Sequence, residues 1–274
     1  MSLGFLVEVE FDWGYQCKVA GLSRGSAAYL YPPPTSILGA LAESIARKEG
    51  LGEKQGLAVL DELGKHLLAL GIRPVNCMPI KFSDISRIIT VKITSGQRFP
   101  HPELHSFDAP AIAKTMLSPV TVDEKAPLLC IVLVFDTEKI VVDKREILLE
   151  EEYFWRIHRI GSKESRVSVL EVKEKEAEIV QQKNLVLRAS FPLMGVDVKQ
   201  EYGRWLTEVY LDPASLNYRR TLSACYQCFT SEQFIAYKLP VLEPGKEPQC
   251  IVELEKGAAY KVENEVVVGR PCSQ

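Results

Sequence analysis

The sequence has little that would carry the chain into or across a membrane. Its longest apolar run is the eight-residue segment LLCIVLVF (128–135), whereas a helix that spans a bilayer needs about 20 apolar residues. The first 14 residues carry no basic stretch, and Glu8 and Glu10 interrupt the first apolar segment, which excludes the pattern of a secretory signal. We therefore expect a cytoplasmic protein with no membrane partner.

An excess of positive charge is also missing. The net charge of the 274 residues is −3, which argues against a surface that binds polyanions everywhere. The net charge does not exclude a local basic groove, because exposed charges act only over roughly 10 Å at moderate salt. The hydrophobic fraction of 46% is ordinary for a globular protein. Seven cysteines, an odd number in a chain of this size, indicate reduced thiols rather than a disulfide framework.

Motifs of common enzymes and metal sites are absent or incomplete. Only four histidines are available for acid–base chemistry. HPELH (101–105) has Pro102 where the zinc peptidases have glutamate, so a polar loop is favoured over a metal site. CYQC (225–228) has no second cysteine pair to complete four zinc ligands. We expect no metal and no cofactor.

Hydrophobic periodicity predicts a mixed succession of helices and strands. An α+β fold follows from this succession, with a composition rich in strands after about residue 175. Segment 128–135 lacks alternation and predicts a strand buried on both faces. The predicted strands are 5–11, 75–82, 87–94, 128–135, 168–180, 184–191, 249–256 and 261–269, and the predicted helices are 35–50, 57–70 and 144–155.

One segment, RIHRIGSKESRVSV (156–169), concentrates positive charge around a glycine. Arg156, Arg159, Lys163 and Arg166 lie within eleven residues. A Gly-Ser-Lys turn offers backbone N–H groups, a hydroxyl and an ammonium group, which together suit a phosphate. The spacing is not that of a P-loop, so nucleotide hydrolysis is disfavoured. On residue chemistry alone, a solvated basic turn is the competing interpretation.

A second segment, YPPPTSILGAL (31–41), begins a helix with three prolines and two hydroxyl residues. Its helix start could face an anion through Thr35 and Ser36. Alternatively, Gly39 could admit a close backbone neighbour, and this packing role is favoured on physical grounds. The weakly periodic segment 95–126 contains Arg98, Phe99 and His101, residue types that can contact a nucleic acid backbone and stack on a base.

The two segments in this order resemble the Cas-five family of CRISPR-associated RAMP proteins, in particular its archaeal type I-A branch. That family shows a Pro-Pro-Pro-[Ser/Thr]-x-x-x-Gly helix start near the N-terminus, matched here by PPPTSILG (32–39), and the branch carries an Arg-x-Gly-Ser-Lys-Glu-Ser-like segment, matched by RIGSKES (159–165). The resemblance covers residues 1 to about 175 and leaves the remainder without quotable motifs.

The resemblance implies a ferredoxin-like (RRM-related) domain over 1–175, with a β-hairpin thumb around 95–126, followed by a β-rich region over 176–274. It implies a non-catalytic subunit that holds the 5′ handle of CRISPR RNA and caps one end of the Cascade backbone in antiviral defence. Its protein partners would be the backbone subunit and the large subunit, and target DNA would be contacted only indirectly. The implied RNA-binding residues, chosen on both grounds, are Arg156, Arg159, Gly161, Ser162, Lys163, Ser165, Arg166, Arg98, Phe99, His101, Tyr31 and Ser36.

A metal-independent endoribonuclease that cuts CRISPR repeat RNA is the alternative function. Such enzymes activate a ribose 2′-hydroxyl with His, Tyr or Lys, and His158 beside Lys163, or His101 with Tyr29 or Tyr31, could take these roles. No dedicated constellation of catalytic residues is evident, so the binding function is preferred.

Overall fold

The computed structural model describes most of the chain. The described ranges are 2–19, 27–82, 85–87, 92–94, 97–99, 108–110, 114–122, 125–217 and 230–272. For 85–87, 92–94, 97–99 and 108–110, only the backbone is described.

The described part is mostly β-structure. Its helices are α1 (Pro34–Lys48), α2 (Glu53–His66) and α3 (Glu151–Trp155). Its strands are β1 (Leu3–Phe11), β2 (Gly14–Tyr15), β3 (Leu67–Pro74), β4 (Cys77–Phe82), β5 (Ile85–Arg87), β6 (Lys92–Thr94), β7 (Gln97–Phe99), β8 (Asp108–Pro110), β9 (Lys114–Pro119), β10 (Leu128–Phe135), β11 (Lys139–Val142), β12 (Arg145–Leu148), β13 (Val167–Glu176), β14 (Glu178–Val180), β15 (Asn184–Leu187), β16 (Phe191–Pro192), β17 (Val196–Tyr202), β18 (Arg204–Leu211), β19 (Phe234–Val241), β20 (Gln249–Leu254), β21 (Ala258–Val262) and β22 (Glu265–Gly269).

A seven-stranded antiparallel sheet forms the centre of the molecule, in the order β13-β1-β10-β3-β22-β21-β14. The predicted strand 128–135 is confirmed as β10, and its burial on both faces is confirmed as well. Leu129, Ile131 and Leu133 belong to the core shared with α1 and α2. Cys130 and Val132, which point the other way, belong to a second core with the C-terminal strands. A strand with apolar cores on both sides does not need apolar and polar residues to alternate along its sequence.

The C-terminal strands extend this sheet instead of forming a separate one. Strand β22 pairs with β3 through Gly269 and Ala69, and it brings β21 and β14 with it. Two further three-stranded sheets, β15-β20-β17 and β16-β19-β18, lie in the described part of the C-terminal region. The predicted division at 175/176 therefore coincides with no break in the central sheet, and the domain assignment stays a prediction.

Two predicted helices differ from the structure. The helix predicted over 57–70 ends at His66, and Leu67–Pro74 is a buried strand paired with β10. Sheet pairing and complete burial outweigh the helix propensity of the apolar residues 67–70. Likewise, the first half of the helix predicted over 144–155 is strand β12, which pairs with β11, and only Glu151–Trp155 is helical.

A long insertion between β3 and β10 is organised as nested strand pairs. Strand β4 pairs with β9, β5 with β8, and β6 with β7. The strands β4, β5 and β6 form one arm and β7, β8 and β9 form the other, and the innermost described pair is that of Thr94 and Gln97. The prediction located a hairpin thumb around 95–126. The described strand pairs lie between Cys77 and Pro119, so residues of the predicted strands 75–82 and 87–94 also take part in them, and the assignment of the thumb stays a prediction. We call β4 and β9 the hairpin root.

Candidate nucleic-acid interface

The basic segment forms a closed turn between α3 and β13, which we call the basic loop (residues 159–166). The N–H of Ile160 donates to the carbonyl of Ser165 at 3.1 Å, and the N–H of Ser165 donates to the carbonyl of Ser162 at 3.0 Å. Arg159 and Arg166 face each other as an isolated antiparallel bridge at its ends. The loop is therefore closed by its own backbone hydrogen bonds.

The basic loop is fixed to the chain that follows β1. The N–H of Ser162 donates to the carbonyl of Gln16 at 3.2 Å. In return, the N–H of Gln16 donates to Oγ of Ser165 at 3.0 Å, and this oxygen lies 3.1 Å from Oγ of Ser162. Ser165 is completely buried. Its role is to anchor the loop, and it offers no surface to a ligand.

Gly161 is required by the backbone of the loop. Its φ of +108° lies in the region that favours glycine. A Cβ at this position would also lie 3.0 Å from Sγ of Cys17 and 3.1 Å from the carbonyl oxygen of Gln16. The glycine thus allows the loop to lie directly against residues 16–17.

The four cations of the segment have different surroundings. Arg156 donates to Glu152 within its own helix turn, and Nε of Arg159 donates to Oε2 of Glu43 at 2.9 Å. The side chain of Lys163 is 83% exposed, with the carboxylate of Glu164 3.8 Å away. Arg166 is exposed, and its side chain has no hydrogen-bond or ion-pair partner among the described residues. Lys163 and Arg166 are therefore the cations that the loop presents to solvent.

A surface depression lies beside these two cations. It is lined by Asp12, His158, Arg159, Lys163, Arg166, Val167 and Ser168. The pKa of the Glu164 carboxyl is lowered, first by a hydrogen bond from Ser162 and then by its own backbone N–H, with Lys163 and Lys114 adding a smaller attraction. Glu164 consequently stays ionised and offsets part of the positive charge.

The two segments singled out in the sequence meet in three dimensions. A second depression, of about 270 Å³, is lined by Ser36, Gly39, Ala40 and Glu43 of α1 and by Arg159 and Gly161 of the basic loop. Ser36 is half-buried and its N–H donates to the carbonyl of Pro33 at 2.8 Å.

The favoured packing role of Gly39 is wrong. A Cβ at Gly39 would meet no atom of the described chain within 4 Å, so the glycine admits no close neighbour and opens onto the depression.

Tyr31 has a purely structural position. Its side chain is fully buried, and its hydroxyl donates to the carbonyl of Pro240 at 2.8 Å. The predicted contact of Tyr31 with RNA is corrected on this ground, because the ring has no exposed face. Its neighbour Tyr29 is also buried and packs edge-on against Tyr210, which removes both tyrosines as candidates for a catalytic role.

Trp13 is a residue of the interface that the sequence did not single out. Its indole Nε1 donates to the carbonyl of Glu164 in the basic loop at 2.9 Å. The ammonium of Lys114, on the hairpin root, lies 6.0 Å from the centre of the indole ring. The pattern before Trp13 is that of a strand end, and no local signal in the sequence links it to residues 150 positions away.

Several predicted residues lie outside what can be described. The backbone of Arg98 and Phe99 belongs to β7, but their side chains are outside the described part, as is all of His101. HPELH (101–105) and CYQC (225–228) also lie outside it. Among the described residues, no group of three or more His, Cys, Asp or Glu could hold a metal ion.

His158 lines the depression beside Lys163 and Arg166. His158 is exposed, and its imidazole has no orienting hydrogen bond to any described residue. A general base needs such a partner and a fixed position relative to its proton donor.

In the described ranges, no helix is long and apolar enough to cross a membrane.

Comparison with known proteins identifies the family. No family model matches the sequence, and no curated protein matches it. Among solved structures, the crystal structure of a CRISPR protein from Archaeoglobus fulgidus is similar over 98% of this chain and 100% of its own, with 35% sequence identity and a TM-score of 0.71. Identity at this level over the full length shows common family membership as well as a common fold. The chain therefore belongs to the family of this CRISPR protein.

Proposed function

We propose that the chain is a non-catalytic RNA-binding subunit of a CRISPR system. In this proposal it holds the 5′ handle of CRISPR RNA and caps one end of a type I-A Cascade backbone, as the Cas-five resemblance implies. Its protein partners are the backbone subunit and the large subunit, target DNA is contacted only indirectly, and the complex works in the cytoplasm.

One observation carries the RNA-binding function. The basic loop is held in one conformation by bonds to Gln16 while Lys163 and Arg166 point into solvent without strong internal partners. Ordering a loop has an entropic cost, and a backbone that is already ordered lowers that cost when a polyanion binds. Phosphate contacts from lysine and arginine supply most of the affinity of sequence-independent RNA binding.

The topology supports a ferredoxin-like N-terminal half. When β1, β3, β10 and β13 are numbered along the chain, their order in the sheet is 4-1-3-2, and all neighbours are antiparallel. Helices α1 and α2 connect the first strand to the second, and α3 lies between the third and the fourth. This is the βαββαβ arrangement that RRM-type modules share. In the proposal, the paired arms 77–119 are the thumb.

The binding function is tested with a single-stranded RNA that carries a repeat-derived 5′ sequence. Replacing Lys163 and Arg166 with Ala should weaken its binding about tenfold or more at moderate salt, because two phosphate contacts disappear. The matched control replaces Lys54 and Lys261, two exposed lysines whose side chains have no partner among the described residues. It removes the same net charge elsewhere and should leave the affinity within about twofold. Equal losses in both variants would refute a localised site.

A cleavage assay distinguishes the endoribonuclease alternative from the non-catalytic binding function. Purified protein is incubated with end-labelled repeat RNA in EDTA, and the products are resolved at single-nucleotide resolution. The binding proposal predicts intact RNA. One discrete cut that disappears in a His158→Ala variant would establish the enzyme and overturn the non-catalytic function.

A further inference from the structure

Trp13 stands where the basic loop and the hairpin root meet. Its indole is tied to the loop through the bond to Glu164, and its carbonyl oxygen accepts the N–H of Leu117 on β9 at 3.0 Å. The ring is partly exposed. An aromatic ring fixed from two sides and open to solvent has the properties of a stacking surface, since little side-chain freedom remains to be lost on binding.

The hairpin root continues this surface with apolar side chains. Ile80 lies opposite Met116 and Phe82 lies opposite Lys114 in the ladder of β4 and β9, so these four side chains share one face. Ile80, Phe82 and Met116 are 44%, 48% and 47% exposed. Buried residues of β9, such as Leu117, point to the other face.

Gly14 keeps this face uncovered. It pairs with Met116 through β2 and brings no side chain over it. Its φ of +144° and the 2.2 Å from a Cβ there to the carbonyl oxygen of Thr115 make any other residue unfavourable. Met116 therefore remains accessible on the same face as Lys114, whose ammonium group lies 6.0 Å from the centre of the Trp13 ring.

The charges around this apolar surface indicate what covers it. Lys114 is adjacent to both Trp13 and Phe82, while Lys163 and Arg166 lie on the neighbouring basic loop. Flat apolar surfaces next to cations match single-stranded nucleic acid, in which bases stack on side chains and phosphates meet ammonium and guanidinium groups. The core of a protein–protein interface is typically depleted of such charges.

We propose that Trp13 and the exposed face of the hairpin root, formed by Ile80, Phe82, Lys114 and Met116, are a stacking platform for unpaired RNA bases. This inference rests on the proposed function and assigns a second part of its binding site. The basic loop holds the phosphates, and the platform holds the bases of the nucleotides that follow. Because every base has a π-face, the platform tolerates many sequences but rejects a duplex, whose bases already stack on each other.

Tryptophan fluorescence tests the platform directly. Trp205 is buried, whereas Trp155 is 46% exposed, so a Trp155→Phe background leaves Trp13 as the accessible fluorophore. We expect the RNA with the repeat-derived 5′ sequence to quench this fluorescence when single-stranded, and the same RNA annealed to its complement to leave it unchanged. Binding of the single strand without quenching would overturn the platform and leave the proposed function standing. No binding of any RNA would overturn both.

Two substitutions separate stacking from support of the loop. Trp13→Phe and Trp13→Leu both lose the hydrogen bond to Glu164, but only Phe keeps an aromatic face. Stacking predicts an affinity loss of about 5- to 100-fold for Leu and a clearly smaller loss for Phe. Equal losses for the two variants would mean that Trp13 only supports the loop.

A third variant tests the hairpin root without touching the tryptophan. Phe82→Ser removes an exposed aromatic side chain and should lower the affinity for single-stranded RNA at least threefold, with unchanged thermal unfolding. If RNA affinity stays unchanged, the face does not stack on bases and the inference is wrong.

Discussion

Nε of Arg159 donates a hydrogen bond to Oε2 of Glu43 at 2.9 Å and joins two segments that are 116 positions apart in the sequence. Glu43 also accepts a contact from Arg47 at 3.1 Å, so one carboxylate serves two guanidinium groups. The pair holds the basic loop beside the start of α1. It also means that Arg159, unlike Lys163 and Arg166, already has an internal anion at hydrogen-bond distance.

Removing this anion should strengthen RNA binding. Glu43→Gln keeps the shape of the side chain, frees the Arg159 guanidinium and makes the depression more positive. We expect the affinity for single-stranded RNA to rise about two- to fivefold at low salt, since one more cation can meet a phosphate. Fluorescence anisotropy with labelled RNA measures the change.

The control for this variant is Glu255→Gln, which makes the same change of charge at an exposed turn. Its RNA affinity should match the wild type. The pair of Arg159 and Glu43 is partly exposed, so the free energy of unfolding should fall by less than about 1 kcal/mol. Weaker RNA binding by a well-folded Glu43→Gln variant would contradict the role given to Arg159.

Gly161→Ala should unfold more easily and bind RNA less well. The substitution combines a positive φ with contacts of 3.0–3.2 Å to Cys17, Gln16 and Ser165, and backbone strain of this kind costs about 1–3 kcal/mol. Gly245→Ala is the matched control, because its φ of +71° is also positive but no atom lies within 4 Å. Urea unfolding should show the larger loss for Gly161→Ala, and similar losses would exclude packing of the loop against residues 16–17.

The helical glycines Gly39 and Gly64 should respond to alanine in opposite directions. At Gly39 a Cβ has open space, so Gly39→Ala should raise the free energy of unfolding by about 0.5–1 kcal/mol. At Gly64 a Cβ would lie 2.5 Å from the carbonyl oxygen of Pro213, so Gly64→Ala should lower it. Thermal and urea unfolding of the two variants check this. A destabilising Gly39→Ala would mean that the glycine has an internal neighbour after all.

Much of the core could be predicted from the sequence, because burial leaves a local pattern. The non-alternating run 128–135 identified a strand with apolar layers on both sides, and the alternation in 5–11 identified β1. The apolar residues 67–70 could not be assigned in this way, since a short buried strand and the end of a helix have the same composition. Only pairing with β10, which is non-local, decides for the strand.

The basic loop could be identified from the sequence, but the surroundings of its cations could not. The sequence identifies a glycine turn rich in cations, but it contains no information on which cation meets a carboxylate from a distant element. Arg159 has such a partner in Glu43, whereas Arg156 meets a carboxylate of its own helix turn and Lys163 and Arg166 meet none from a distant element among the described residues. Trp13 could not be identified as part of the site for the same reason, since its hydrogen bond to Glu164 joins residues far apart in the sequence.

Stability should fall at alkaline pH. Burial raises the pKa of the thiols of Cys17, Cys77 and Cys130 to about 12 from an ordinary value of 9.0, and it raises the pKa of Tyr15 and Tyr31 well above 10.0. In the unfolded chain these groups lose their protons at the ordinary pKa values. Their contribution to stability is therefore fully present below about pH 9 and is lost as the pH rises towards 12, with a slope of up to about 1.4 kcal/mol per pH unit for each thiol.

Urea unfolding under reducing conditions at pH 8, 9, 10 and 11 measures this dependence. A Cys130→Val variant has one buried thiol fewer and should lose stability less steeply between pH 9 and 11. An unfolding free energy that stays constant from pH 8 to 11 would show that these groups ionise as readily in the folded chain as in the unfolded one.

The salt dependence of RNA affinity tests the central claim most directly. The logarithm of the binding constant for single-stranded RNA is measured against the logarithm of the salt concentration for the wild type and for the chain with Lys163→Ala and Arg166→Ala. For single strands each phosphate contact adds about 0.7 to the slope, so the slope of the variant should be smaller by about 1.4. The control with Lys54 and Lys261 replaced should keep the slope of the wild type. If the variant with Lys163→Ala and Arg166→Ala also kept that slope, a phosphate site at the basic loop would be contradicted.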